Sequence, residues 1–320
     1  MYSREITTMV VCAALLPPLL AACSTDDEQL GNGGETQQEI RIDVGASNYV
    51  EVTRATTYEP GSTLESMMLG TNLQGTSTVY FAPELVSYAD NVWTFDGGTR
   101  YWPMSSALDF YAYMPATLPS YISNVAYDGS DDGSDMSFTC TGLPVTAAAQ
   151  GSSLKEFVCA VTKNVAQSTS SGTVSLAMQH PFARICLRWA SDYDHSDITV
   201  NSITLKNIKN NGTVTFDGST ATWTPTGDVT NFVATALDDN DAATLNSYLV
   251  VPQTFAGVIE VNATWKEWDH DVNHTVSTTL ASPTTWAAGS SYTYDFTITQ
   301  TDLKVTTTTN PTETEFAEQW

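Results

Sequence analysis

Leu108-Asp109-Phe110-Tyr111-Ala112-Tyr113-Met114 is the stretch on which the reading of the fold turns. Leu108, Phe110, Ala112 and Met114 face one way along an extended chain, the two-residue period of a half-buried antiparallel strand. The same alternation recurs downstream. Ile259, Val261, Ala263 and Trp265 alternate with Glu260, Asn262 and Thr264, and Tyr292, Tyr294, Phe296 and Ile298 with Thr293, Asp295 and Thr297. Asp96-Gly97-Gly98, Asn210-Asn211-Gly212 and Asp217-Gly218 punctuate such runs and read as turns. Many short strands so spaced, with no amphipathic helix longer than a few turns, predict an all-β chain of antiparallel β-sandwiches.

Composition agrees. Only 15% of the residues are charged, and a Thr- and Ser-rich, aromatic-bearing chain suits exposed β-structure better than helices. A length of 320 residues allows one large or two medium domains. Gln167-Ser168-Thr169-Ser170-Ser171-Gly172 is the best linker candidate, dividing a β-sandwich over 39–171 from another over 172–320. Beyond it, Val174–Met178 and Ala183–Trp189 read as a fresh strand pair broken at His180-Pro181. The formal net charge of −24 argues against nucleic acid and against an electrostatic grip on anionic membranes.

The N-terminus carries an address. Residues 9–22 form an apolar run behind the basic Arg4, too short to span a bilayer and interrupted by Pro17-Pro18, so 1–22 reads as a signal peptide. Its end, Leu20-Ala21-Ala22-Cys23, matches the lipobox of bacterial lipoproteins, making Cys23 the lipidation site. Residues 23–38 then read as an acidic, Gly-rich tether containing Thr25-Asp26-Asp27-Glu28. That cluster resembles surface-export signals of lipoproteins from Gram-negative anaerobes, and Ser24 is not the aspartate of inner-membrane retention. The expected location is the outer membrane, at the cell surface.

Chemistry-bearing residues are sparse. With Cys12 lost in the signal and Cys23 acylated, Cys140, Cys159 and Cys186 permit one disulfide at most. Cys140 and Cys159 are the better pair, although buried free thiols are favoured over any bridge. His270 and His274 with Asp269 and Asp271 suggest a metal, but read better as a polar hairpin tip. The acidic Asp128–Asp135 run lacks the spacing and closing Glu of a calcium loop. No Gly-x-Ser-x-Gly elbow or phosphate-cradling loop appears, and His180 beside Pro181 reads as structural, so neither catalysis nor a cofactor is expected. Trp93, Trp102, Trp189, Trp223, Trp265 and Trp286 sit in or near strands and read as core, leaving Trp268 and Trp320 as exposed candidates. Those two support an alternative reading, a cell-surface glycan-binding lipoprotein that does not polymerise.

Thr53-Arg54-Ala55, Tyr101-Trp102-Pro103, Asp109–Pro115, His180–Ile185, Leu249–Gln253 and Trp286–Ile298 stand in an order that resembles the fimbrillin-like, or Mfa-like, lipoproteins of type V pili. The closing Phe316-Ala317-Glu318-Gln319-Trp320 is similar to that family's tail. The resemblance covers nearly the whole chain after the signal peptide. It implies two tandem transthyretin-like sandwiches. It also implies an extracellular Arg-specific protease that removes the first strand, and a neighbouring pilus subunit whose strand fills the groove left behind. Carried onto this chain, the cut falls at Arg54, before Ala55, and releases the stretch from Glu39 to Thr53, in which Ile40, Ile42 and Val44 alternate. The tail after Ile298 is Thr-rich and does not read as a clear donor strand. Partners beyond the pilus subunits, the protease and the membrane would be a host or bacterial surface ligand.

Overall fold

The computed structural model describes residues 37–44, 66–130, 136–151, 154–191, 198–235, 237, 246–267, 270–299 and 303–310. Cys23, Arg54, Ala55, Trp268, Asp269, residues 131–135 and Trp320 lie outside them. Of the described residues, 62% are in strands and 2% in helix. The first half holds β1 (Arg41–Val44), β2 (Met67–Leu73), β3 (Val79–Ala89), β4 (Val92–Phe95), β5 (Leu108–Met114), β6 (Ile122–Tyr127), β7 (Met136–Cys140) and β8 (Val158–Val165). After the helical turn α1 (Gln167–Ser170) come β9 (Thr173–Leu176), β10 (Ala183–Ser191), β11 (Ile198–Ile208), β12 (Asn211–Phe216), β13 (Ala221–Thr226) and β14 (Thr230–Thr235). The last elements are β15 (Asn246–Val250), β16 (Thr254–Phe255), β17 (Val258–Glu267), β18 (His270–Thr279), β19 (Thr284–Thr285), β20 (Ser291–Ile298) and β21 (Leu303–Asn310).

Among the described residues these strands build three hydrophobic cores. The antiparallel sheet β4-β3-β2-β5-β8 lays Leu69, Val86, Leu108 and Phe110 against the ribbon β1-β9, giving the first. The second lies between the other face of that sheet and the sheet β13-β12-β7-β6, with Tyr111, Phe138, Phe157 and Phe216 at its centre. The third fills the space between β15-β10-β20-β21 and β14-β11-β17-β18, where Ile203, Phe232, Val261, Trp286 and Tyr294 meet.

Strand β5 therefore faces two cores. Leu108, Phe110, Ala112 and Met114 enter the first, as the alternation predicts, while Tyr111 enters the second. Asp109 is buried on the same side, its carboxylate accepting the Gly75 and Asn164 backbone N–H groups at 2.9 and 2.7 Å. Those bonds satisfy a charge that burial alone would make costly. In β20, Ser291 and Thr293 are likewise buried beside the expected Tyr292, Tyr294, Phe296 and Ile298. A half-buried reading of these strands was too shallow because the sheets stack more deeply than two layers.

Three local expectations change. Asn210-Asn211-Gly212 is not a turn: Asn211 opens β12 and Gly212 pairs with Cys140. β11 and β12 belong to different sheets, so the chain turns a corner between layers there. Gly212 is glycine because Trp223 lies against it, a Cβ falling 3.0 Å from the indole. The segments around β9 and β10 are strands but not partners, since β9 pairs parallel to β1 and β10 lies between β15 and β20. The linker candidate folds into α1, closed by Ser171 and Gly172 at φ of 51° and 85°.

Strands on both sides of residue 171 share structure: β9 buries Val174 and Leu176 in the first core, and β12 extends the sheet of β6 and β7. A division into sandwiches at 171/172 stays a proposal.

Candidate functional site

The first strand and its seat form the candidate site. Along residues 40–44, apolar and polar residues alternate, so an extended chain places Ile40, Ile42 and Val44 on one side. The structure buries those three to 2%, 8% and 9% exposure and leaves Arg41 and Asp43 in solvent. β1 runs parallel to β9, with Ile42 beside Val174 and Val44 beside Leu176. Ahead of it, the Ile40 N–H donates to Arg100 O at 2.8 Å and the Trp102 N–H donates to Gln38 O at 3.0 Å. The start of the strand is thus clamped from two sides, the Arg41 N–H reaching Gly172 O at 2.8 Å.

The walls of this seat are themselves held. Arg100 meets the Glu84 carboxylate through two hydrogen bonds of 2.6 Å and lies 5.9 Å from the Phe81 ring, fixing the backbone that accepts Ile40. Trp102 is buried, its ring 5.8 Å from Phe110, and its indole N–H donates to Gly172 O at 3.4 Å. The Gln167 carboxamide donates to the Gln38 side chain at 3.0 Å.

Burying two Ile and one Val side chain contributes roughly 1.5–3 kcal/mol each, about 5–8 kcal/mol together. That is of the order of a whole domain's net stability. Vacating the seat would expose a row of unpaired backbone groups over an open apolar core, an arrangement that pairs readily with another strand.

The remaining candidates are structural where they are described. Cys140, Cys159 and Cys186 are buried free thiols, and burial pushes Cys140 up to about 12 and Cys159 higher still. His180 Nδ1 lies 2.9 Å from Glu156 Oε1, both side chains only 2% exposed, and Arg184 is buried nearby at the start of β10. His274 stacks on Trp265 with ring centroids 3.6 Å apart, and its Nε2 lies 3.1 Å from Glu267 Oε1. His270 is exposed at the start of β18. Among the described residues no three His, Cys, Asp or Glu side chains gather as a metal site. Asp128 accepts the Ser130 N–H at 3.0 Å, a local turn contact. Trp93, Trp102, Trp189, Trp265 and Trp286 are core, as expected, but Trp223 is only half-buried and lines a cleft. That departure could not be read from the alternation of β13, which is the same for a wall and for a core.

Part of the Thr-rich tail is a strand. β21 runs antiparallel to β20 from Ile298↔Leu303 to Ser291↔Asn310, with Val305 packed on the third core.

The sequence matches the model of a family described as fimbrillin-like over residues 53–311. No curated protein is matched. Among solved structures, a fimbrial protein from Bacteroides vulgatus superposes with a TM-score of 0.60 at 15% identity, covering 85% of this chain and 99% of that one. A cell-adhesion candidate from Bacteroides uniformis gives 0.56 at 16% identity over 86% and 97% of the two chains. Another from Bacteroides ovatus gives 0.54 at 14% over 85% and 96%. Such low identities speak for the shared fold.

Proposed function

The chain belongs to the fimbrillin-like family, and on that footing we propose that it is a structural or adhesive, non-enzymatic subunit of a surface fimbrium of the type V pilus kind, assembled by strand exchange. The observation that carries this reading is β1: a short strand with alternate residues buried, held by the ribbon partner β9 and the 100–102 segment, over an apolar core that its removal would uncover. Lipidation at Cys23 tethers the chain to the outer membrane. An Arg-specific extracellular protease cuts after Arg54, leaving Ala55 as the new N-terminus and freeing β1. A strand from another subunit of the same family then takes its place through main-chain hydrogen bonds and alternating side chains.

β21, which the Thr-rich sequence does not single out as a donor, is the candidate its strand structure adds. Leu303-Lys304-Val305 repeats the apolar-basic-apolar order of Ile40-Arg41-Ile42. It also lies at the edge of its sheet, bonded along one side by β20, so releasing it breaks a single ladder among the described strands.

The test is to treat the full mature protein with an Arg-specific protease, determine the new N-terminus by mass spectrometry, and run the product unboiled and boiled on denaturing gels. Cleavage before Ala55 with a heat-resistant ladder, both lost in Arg54→Gln, is expected. A protein cut at Arg54 that stays monomeric with β1 still bound would sink strand exchange. In cells, loss of lipid labelling in Cys23→Ser tests the anchor separately.

A further inference from the structure

Away from β1, a cleft of about 700 Å³ opens between the β12–β13 hairpin, the residues preceding Pro181 and the small β16–β19 ribbon. Its size falls within the range of small-molecule sites. Trp223 is the only half-buried tryptophan among those described, and it lies in this cleft. Its ring is held rigidly: Phe182 and Phe138 pack at 5.0 and 6.1 Å, Gly212 gives it room, and its indole N–H is tied to the Pro181 carbonyl. Ser219, Thr220, Thr254 and Thr285 add hydroxyl groups at the exposed rim, and Gln179 adds a carboxamide.

Charge decides the class of ligand. The chain carries 36 Asp and Glu residues, yet no Asp, Glu, Lys or Arg lines this cleft. Its one titratable group, His180, is turned to Glu156. Behind the lining stands one charge of each sign, Lys209 at 3.5 Å from Pro225 O and Asp217 at 3.0 Å from Ser219 Oγ, so an ionic ligand would be desolvated there with no net counter-charge, which is unfavourable. The rim hydroxyls bond one another and Asp217, Thr254 to Thr285 at 3.2 Å and Ser219 to Asp217 at 3.0 Å, and a hydrocarbon chain would desolvate their remaining lone pairs and the Gln179 amide without compensation. A ligand with apolar C–H faces and many neutral hydroxyls meets both demands, one face against the fixed indole and the hydroxyls along the Ser and Thr rim.

The geometry points to a neutral oligosaccharide as the ligand of this cleft, with Trp223 as the stacking platform. This binding needs neither cleavage at Arg54 nor polymerisation, so it stands or falls apart from the assembly reading.

The test uses the uncut mature chain with Cys23→Ser, in affinity electrophoresis and titration calorimetry against maltohexaose, mannohexaose and a neutral galacto-oligosaccharide, with hexagalacturonate as the anionic control. Saturable binding of at least one neutral probe is expected, with quenching of tryptophan fluorescence and little or no binding of hexagalacturonate. Trp223→Ala should weaken that binding at least tenfold. Because Trp223 also packs on the second core, the deciding variant is Ala287→Trp, at an exposed position on the cleft wall. It fills the cleft without entering a core and should weaken binding at least tenfold at an unchanged melting temperature. Absence of binding by all three neutral probes, tighter binding of hexagalacturonate, or full affinity in Ala287→Trp would each overturn the assignment.

Discussion

A side chain at position 172 would have to sit where Gln38 already is. Gly172 holds φ of 85°, and an added Cβ falls 2.2 Å from the Gln38 carboxamide nitrogen. Gly172→Ala should therefore lower stability by about 1–2 kcal/mol through left-handed strain and a displaced Gln38. Urea unfolding would measure this, and hydrogen exchange should show the loss concentrated at residues 38–44. The thiols give a second test at this scale. With Cys140 pushed up to about 12 by burial and the others also enclosed, a disulfide reagent at pH 8 should react with none of the three in the native Cys23→Ser chain, and with all three in guanidinium. Asp217 supplies a pH test. The Ser219 and Thr220 backbone N–H groups, 2.8 and 2.7 Å from its carboxylate, hold it below the usual carboxylate pKa of 3.8. A depressed folded pKa stabilises above the unfolded value and loses that contribution as pH falls through the folded one. Asp217→Asn should cost about 0.5 kcal/mol near pH 7, a small figure because the turn is open to water, and nothing once the wild-type carboxyl is protonated.

At the scale of elements, β1 concentrates its binding in alternate positions. Ile42→Ala should destabilise by about 2–4 kcal/mol, whereas Arg41→Ala, on the solvent side, should stay within about 0.5 kcal/mol. Equal effects in chemical denaturation would contradict the observed seating. The alternation needed for this contrast is legible in the sequence, because strand geometry sends successive side chains to opposite sides. The pairing partner is not. Nothing in Ile40–Val44 names β9, which lies far along the chain and runs parallel, since parallel pairing depends on where the intervening sheets deliver the two strands. β5 makes the same point: the sequence shows its Leu108-Phe110-Ala112-Met114 face, but only a second sheet explains why Asp109 and Tyr111 are buried too.

At the scale of the molecule, the interleaving of β9 and β12 with earlier strands sets a condition on any division of the chain. A fragment ending at residue 171 lacks β9, which contributes Val174 and Leu176 to the first core, and β12, which supplies Val214 and Phe216 to the second. Such a fragment should fail to give a cooperative melting transition, whereas the full mature chain should unfold with the second core coupling its neighbours. Independent folding of 39–171 with native-like stability would show that these later strands are dispensable.

The all-β class, the strands around Leu108–Met114, Ala183–Trp189, Ile259–Trp265 and Tyr292–Ile298, the burial of five tryptophans and the alternating face of β1 were determined by the sequence alone, because two-residue periodicity and turn chemistry are local properties. The order of Thr53-Arg54-Ala55, Tyr101-Trp102-Pro103 and the later motifs likewise sufficed to indicate the family. Tertiary structure alone decided that β1 lies parallel to β9, that Asn211-Gly212 starts a strand in another layer, that His180 meets Glu156, and that Trp223 is half-buried at a cleft while the other described tryptophans are buried. The physical reason is common to all four. Alternation fixes which side of a strand is apolar, but what covers that side depends on the stacking of sheets whose strands are distant in sequence.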